Sequence, residues 1–210
     1  MKKRFFAILS TVLIAALSLP TSAAAANSFT DVKPSDWYYE AVSYAASNGL
    51  VSGTSPTTFS PHAPMTRGMF VTVLHRLGGR PAVGAGGAFS YVTNPSAYYY
   101  NAVTWANTNG IVRGYEDGTF QPDKSVTREE MAVIMHRYAA FKQLDTSAPD
   151  NVLGTFPDNG RVSAFAAEAT RWAVSKEIIR GSGGSLLPQN TATRAEVAQI
   201  VFNYCEKVGQ

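Results

Sequence analysis

The chain has 210 residues, with 18 Lys and Arg against 15 Asp and Glu, 45% hydrophobic side chains and one cysteine, Cys205. Three of the basic residues are Lys2, Lys3 and Arg4, so the rest of the chain is neutral and lacks the field that gathers nucleic-acid phosphates or a charged membrane surface. One cysteine and three histidines exclude a disulfide framework and a zinc cluster, and the apolar content is that of a chain with a packed core.

The first element is a leader. Lys2, Lys3 and Arg4 stand ahead of an acid-free apolar run from Phe5 to Leu19, followed by Pro20, small residues and Ala24-Ala25-Ala26. A charged start, a short apolar run and an Ala-x-Ala exit predict a secretory signal peptide over residues 1–26, cut between Ala26 and Asn27. The apolar run of 15 residues falls short of the roughly 20 that span a bilayer as a helix, so no membrane span is expected after cleavage.

The remainder repeats itself. Shifted by 61 positions, Tyr38-Tyr39 falls on Tyr99-Tyr100, Asn48-Gly49 on Asn109-Gly110, and Thr66-Arg67 on Thr127-Arg128, with no gap from Trp37 to Leu77. A more diverged third copy follows the same order, from Phe156 and Asp158 through Trp172, Gly181 and Pro188 to Thr193-Arg194. The repeats cover residues 29–79, 89–142 and 156–208, joined by a Gly- and Ala-rich linker at 80–88 and a polar linker at 143–155. They account for nearly everything after the leader, so no cargo domain is expected within these residues.

Within a repeat the pattern predicts helix, turn-rich loop, helix. The first helix, Trp37 to Ser47 in the first copy, carries a narrow face of Ala41, Val42 and Ala45 and stops at Asn48-Gly49, where Gly takes the left-handed conformation freely. Glu177 holds that place in the third copy, so its helix is expected to end differently or run on. The loop then carries a second glycine, Gly53, Gly114 or Gly181, read as a turn residue. A Phe-x-Pro element follows, Phe59-Ser60-Pro61 and Phe120-Gln121-Pro122, which becomes Leu186-Leu187-Pro188 in the third copy.

The second helix opens on Thr66, Thr127 or Thr193. With Glu130 and Glu196 the latter two form complete capping boxes, whereas Thr66 lacks the reciprocal Glu. Past the caps, Phe70, Val73, Leu74 and Leu77 correspond to Met131, Ile134, Met135 and Tyr138, then to Val197, Ile200, Val201 and Tyr204. Spacing of this kind gives each helix one buried face, which a lone two-helix unit cannot cover, so the three faces are expected to meet centrally.

Several side chains carry candidate chemistry. Arg67, Arg128 and Arg194 each stand at the first helical position, where the helix dipole disfavours a cation by some tenths of a kcal/mol. Together with the N-terminal amides they suit a carboxylate ligand; the other reading pairs each arginine with an acid such as Glu129 or a carboxylate of another repeat. Trp37 and Tyr98 are either flat faces for a sugar ring or core pegs, while Trp105 and Trp172 read as core. Asp31 and Asp158 read as caps of local amides, with ligand contact as a second role. Cys205 reads as buried packing.

The ordered elements Phe-x-Asp-Val, an aromatic-led helix, Gly-(Ile/Leu)-Val-x-Gly, Phe-x-Pro and Thr-Arg-Ala-Glu resemble the S-layer homology repeat, three copies of which make the wall-anchoring module of many bacterial surface proteins. The resemblance implies a mainly α, pseudo-threefold domain with a central three-helix bundle and peripheral short helices and loops. It also implies a secreted protein of the bacterial wall or surface layer, held without covalent attachment by secondary cell-wall polysaccharide, commonly pyruvylated on an amino sugar. By resemblance Arg67, Arg128 and Arg194 are the ligand arginines, and Gly53, Gly114 and Gly181 let ligand approach the backbone. Tyr91 stands where Asp belongs in the second copy, Tyr98 and Phe165 replace Trp37, and the first copy reads Thr-Arg-Gly-Met. Equal use of three grooves is therefore not expected.

A catalyst is not expected. His75 and His136 occupy one repeat position that the third copy does not keep, and no nucleophile motif, carboxylate pair or calcium-loop spacing stands out, so neither cofactor nor metal is implied. The main alternative is a structural subunit that assembles with other S-layer proteins. An enzyme acting on wall glycan is the least supported reading.

Overall fold

The apolar stripes and the capping threonines set the architecture. A computed structural model describes residues 29–84, 89 and 92–208, so the leader and its Ala26/Asn27 junction lie outside the described residues. Six α-helices appear there: α1 Tyr39–Ser47, α2 Arg67–Leu77, α3 Tyr100–Thr108, α4 Arg128–Phe141, α5 Ala167–Ser175 and α6 Arg194–Lys207. Short 3-10 turns precede α5, and isolated bridges are the only β pairing among the described residues. The fold is mainly α, as expected.

Each second helix packs against the first helix of the following repeat, α2 on α3 and α4 on α5, and α6 returns to α1. The stripe residues supply the contact. All twelve belong to the core except Leu77, which packs against its edge. Trp105 of α3 meets His75 of α2 at 5.3 Å and Tyr138 of α4 at 6.2 Å between ring centroids, and Tyr138 meets Tyr204 of α6 at 5.7 Å.

The segments leading into α2, α4 and α6 close a backbone triangle. Met65 donates its amide to Ala192, Ala192 to Val126, and Val126 to Met65, each at 2.9 Å. All three residues are buried, so the partner each amide needs comes only from another repeat. Thr66, Thr127 and Thr193 then cap their helices, each accepting the N3 amide at 3.2 Å. Glu130 and Glu196 complete the box by accepting the Thr127 and Thr193 amides at 2.9 and 2.7 Å.

The end of α5 departs from expectation. α5 ends as α1 and α3 do, because Glu177 adopts φ 54°, beside Gly49 at 64° and Gly110 at 70°. The closing bond also recurs: Leu50, Ile111 and Ile178 donate to Ala45, Ala106 and Ala173. Ile178 is fully buried, and its packing together with Lys207 Nζ, 3.2 Å from the Glu177 carboxylate, imposes the turn on a residue that resists it. Trp37 also lies ahead of α1 rather than within it.

Candidate functional site

The three arginines are buried, at 5%, 6% and 8% exposure, and all three reach into the next repeat. Arg67 Nε donates to the Phe120 carbonyl at 3.0 Å, Arg128 Nε to Leu186 at 2.8 Å, and Arg194 Nε to Phe59 at 2.7 Å. Their outer nitrogens meet carboxylates of that same repeat, Arg67 with Glu130 at 3.4 Å and Arg128 with Glu196 at 2.8 Å. The first repeat has Met69 in place of that Glu, and Arg194 Nη2 donates instead to the Ser52 carbonyl at 2.6 Å. Burial lowers the Arg194 pKa, and Asp31 pulls it back up.

The helix N-termini are not open to a ligand, contrary to the pairing of arginine with free amides. Arg67 and Gly68 donate their amides to Lys124 and Pro122, Arg128 and Glu129 to Asn190 and Pro188, and Arg194 and Ala195 to Ala63 and Pro61. With the N3 amide on threonine, the first three donors of each helix are used within the fold.

Asp31 and Asp158 cap backbone, each with both oxygens. Asp31 accepts from Phe59 and Ser60 at 2.8 and 2.7 Å, and Asp158 from Leu186 and Leu187 at 2.8 Å. The middle residue of the element is left-handed in all three repeats, Ser60 at φ 58°, Gln121 at 52° and Leu187 at 52°, and the aspartate caps support that turn in the first and third. In the first and third repeats the element is gripped on its amides by the aspartate of its own repeat and on its carbonyl by an arginine of another; in the second, where Tyr91 replaces the aspartate, Arg67 holds the Phe120 carbonyl. Gly114 and Gly181 have φ 74° and 78°, and a Cβ there would come within 2.7 and 2.8 Å of the ring of Phe89 or Phe156. At Gly53 the same atom would lie 2.6 Å from Phe29. The space these glycines leave is filled by the repeat-opening phenylalanine.

Two cavities open above the arginines. One, of about 450 Å³, is lined by Trp37, Arg128, Gly181, Glu196, Ile200 and Asn203 among others. The other, of about 770 Å³, is lined by Phe165, Arg67, Gly114, Tyr115, Glu130 and Arg137 among others. Each draws an aromatic from one repeat, an arginine from the next, and a glycine loop with its second helix from the third. Trp37 and Phe165 are 62% and 64% exposed, so they are rim faces rather than core pegs. Tyr98, 55% exposed, holds the equivalent place beside Thr66, 3.4 Å from its hydroxyl.

A model of the S-layer homology domain matches residues 28–68, 93–132 and 155–198. The chain belongs to the S-layer homology family. Its members are secreted proteins of the bacterial cell wall or surface layer. The chain is 29% identical over 99% of its length to an endoglucanase of Bacillus sp. (strain KSM-635), covering 22% of that protein. It is 25% identical over 99% of its length to the S-layer protein sap of Bacillus anthracis, covering 25% of it. The cellulosome-anchoring protein of Acetivibrio thermocellus matches at 32% over 48% of this chain and 22% of its own length. The chain thus spans a quarter or less of these relatives, and the hydrolase named in the first is a property of a much larger protein.

The remaining candidates are structural parts of the S-layer homology fold. Trp105 and Trp172 are core, and the Trp172 indole donates to Asp145 at 3.1 Å. His75 and His136 bond the Pro81 and Thr146 carbonyls, at 2.9 and 3.3 Å, and so tie down the chain after each helix. Cys205 is half-buried rather than buried. Among the described residues no cluster is placed to hold a metal, and no helix is long and apolar enough to cross a membrane.

Tyr115 was not singled out in the sequence, and Glu129, read there as a partner for an arginine, bonds Ser163 instead. Tyr115 lies between Arg67 and Lys124, 4.5 and 4.4 Å from its ring, and donates its hydroxyl to Glu130 at 2.6 Å. Burial, and then that carboxylate, push its pKa up. Glu129 accepts the amide and hydroxyl of Ser163 at 3.0 and 2.8 Å, two residues ahead of Phe165, and so fixes that rim. Neither has a counterpart in the other repeats; the departures themselves were the signal.

Proposed function

We propose that the chain is a non-enzymatic module that holds itself to the bacterial wall by binding secondary cell-wall polysaccharide in the grooves between its repeats, and that the leader is removed between Ala26 and Asn27 on export. The acidic substituent of the glycan, a pyruvate ketal on an amino sugar, lies against the outer nitrogens of Arg67, Arg128 or Arg194, and a sugar ring rests on Phe165, Trp37 or Tyr98. Gly114 and Gly181 line the two cavities.

The observation that carries this reading is the composition of those cavities: an exposed aromatic and a buried arginine line the same cavity, drawn from different repeats. Aromatic faces and guanidinium forks are the groups that recognise a sugar ring and a carboxylate. The relatives' names, an anchoring protein and an S-layer protein among them, agree with a wall role. Pulldown with purified wall sacculi before and after acid extraction of the polysaccharide tests it. Binding is expected only before extraction. Retention afterwards favours the alternative, a subunit that assembles with other S-layer proteins, and loss of intact glycan favours an enzyme.

A further inference from the structure

The three grooves differ at two equivalent positions, and the difference is one of charge. The residue before the loop glycine is Ser52, Arg113 or Arg180, and a position near the end of the second helix is Arg76, Arg137 or Asn203. Beside Arg128, Arg180 is held by Glu177 at 3.3 Å and Asn203 donates to the Ile178 carbonyl at 3.1 Å. In the first repeat, Ser52 carries no charge and Arg76 donates to Leu50 at 3.1 Å. Beside Arg67, Arg113 and Arg137 both line the cavity, and neither guanidinium has a hydrogen-bond or ion-pair partner among the described residues.

Acids line the same cavity, but most are turned onto the protein. Asp117 accepts from the Thr119 amide and hydroxyl, Glu129 from Ser163, and Glu130 from Thr127 and Tyr115 while pairing with Arg67. Glu116 remains, exposed at the lip. The field at Arg137 is positive in consequence: burial first, then Arg113, then Arg67 lower its pKa, and no carboxylate offsets them. Two unpaired guanidiniums in one cavity repel each other until an anion bridges them.

We infer that the groove beside Arg67 carries a second anion subsite, formed by Arg113 and Arg137 and lacking in the other two grooves, which takes a second acidic substituent of the same glycan, a carboxylate or a phosphate. This rests on the reading of the grooves as sites for an acidic wall polymer. The cavity of about 770 Å³ falls in the range of small-ligand sites and leaves room for more than the group at Arg67. The groove therefore selects for charge density along the polymer, where the Arg128 groove reads one acidic group at a time.

The test is calorimetric titration of the whole chain with three amino-sugar disaccharides: one bearing a single ketal carboxylate, one bearing two, and one bearing a carboxylate and a phosphate. At its tightest site the wild type should prefer a two-charge ligand by about tenfold, an advantage that shrinks at high salt. The larger of the two preferences names the second group. The double substitution R113Q/R137Q should remove most of this preference while costing the single-charge ligand less. R113Q alone, at an exposed side chain, should remove part of it with the fold intact. Undiminished preference in R113Q/R137Q, or no preference in the wild type, overturns the subsite and leaves the grooves standing. No binding of any of the three by the wild type sinks the subsite and the polymer reading together.

Discussion

Arg194 Nε lies 2.7 Å from the carbonyl oxygen of Phe59, a bond between residues 135 positions apart that fastens the third repeat to the first. Arg67 and Arg128 make the same bond to Phe120 and Leu186. The residue named as the ligand contact is therefore also the fastener between repeats, and any binding measurement on an arginine variant has to be read beside its stability.

Arg194→Ala should destabilise the fold. It removes two hydrogen bonds from a charged donor, to Phe59 and Ser52, and strands the buried Phe59 carbonyl, a loss of roughly 3 kcal/mol. Lysine restores the charge without the planar fork and should recover only part of it. Urea unfolding of the alanine variant checks this; a stability for Arg194→Ala equal to wild type would show that the ring closes without this bond.

Met69→Glu should stabilise. Thr66 already caps Met69 at 3.2 Å, and Met69 stands where Glu130 and Glu196 complete their boxes and pair with Arg67 and Arg128. A glutamate there would supply the reciprocal cap and a partner for Arg194, a gain of about 1 kcal/mol. Thermal unfolding gives the answer, and a lower midpoint would mean that the apolar contacts of Met69 outweigh both.

Trp37 and Trp172 should separate binding from folding. Trp37→Ala, at a mostly exposed ring, should change stability by no more than about 0.5 kcal/mol yet weaken attachment to sacculi. Trp172→Ala, at a fully buried one, should cost about 3–5 kcal/mol. Full attachment by a folded Trp37→Ala chain would remove that rim from the site.

Acid should loosen the clamp on the Phe-x-Pro element. Burial pushes the Asp31 carboxyl up, but the amides of Phe59 and Ser60, aided by Arg194, outweigh it and hold the pKa below 3.8. The fold thus favours the ionised form, so its contribution is whole well above pH 3.8 and is lost as the pH falls through 3.8 towards the folded value. Asp31→Asn, which keeps one acceptor, should be less stable than wild type at neutral pH, with the gap closing in acid. A gap independent of pH would assign the loss to shape instead of charge.

What the sequence determined by itself was everything that depends on neighbours a few positions apart. Thr127 finds Glu130 across one helical turn, the stripe from Val197 to Tyr204 lies on one face by periodicity, and Gly49 frees its turn alone. Three ordered copies of such signals carried the family and the mainly α fold. Only the tertiary structure decided what depends on distant repeats. Glu177 turns left-handed like a glycine because Ile178 is packed beneath it, a constraint written in no local pattern. The sequence left the arginines between a ligand and a carboxylate of another repeat, and only the fold showed Arg67 and Arg128 paired across repeats, because the carbonyls that accept the three arginines lie 53, 58 and 135 residues away. Each groove likewise exists only where three repeats converge, since no single repeat holds its aromatic, its arginine and its glycine loop on one surface.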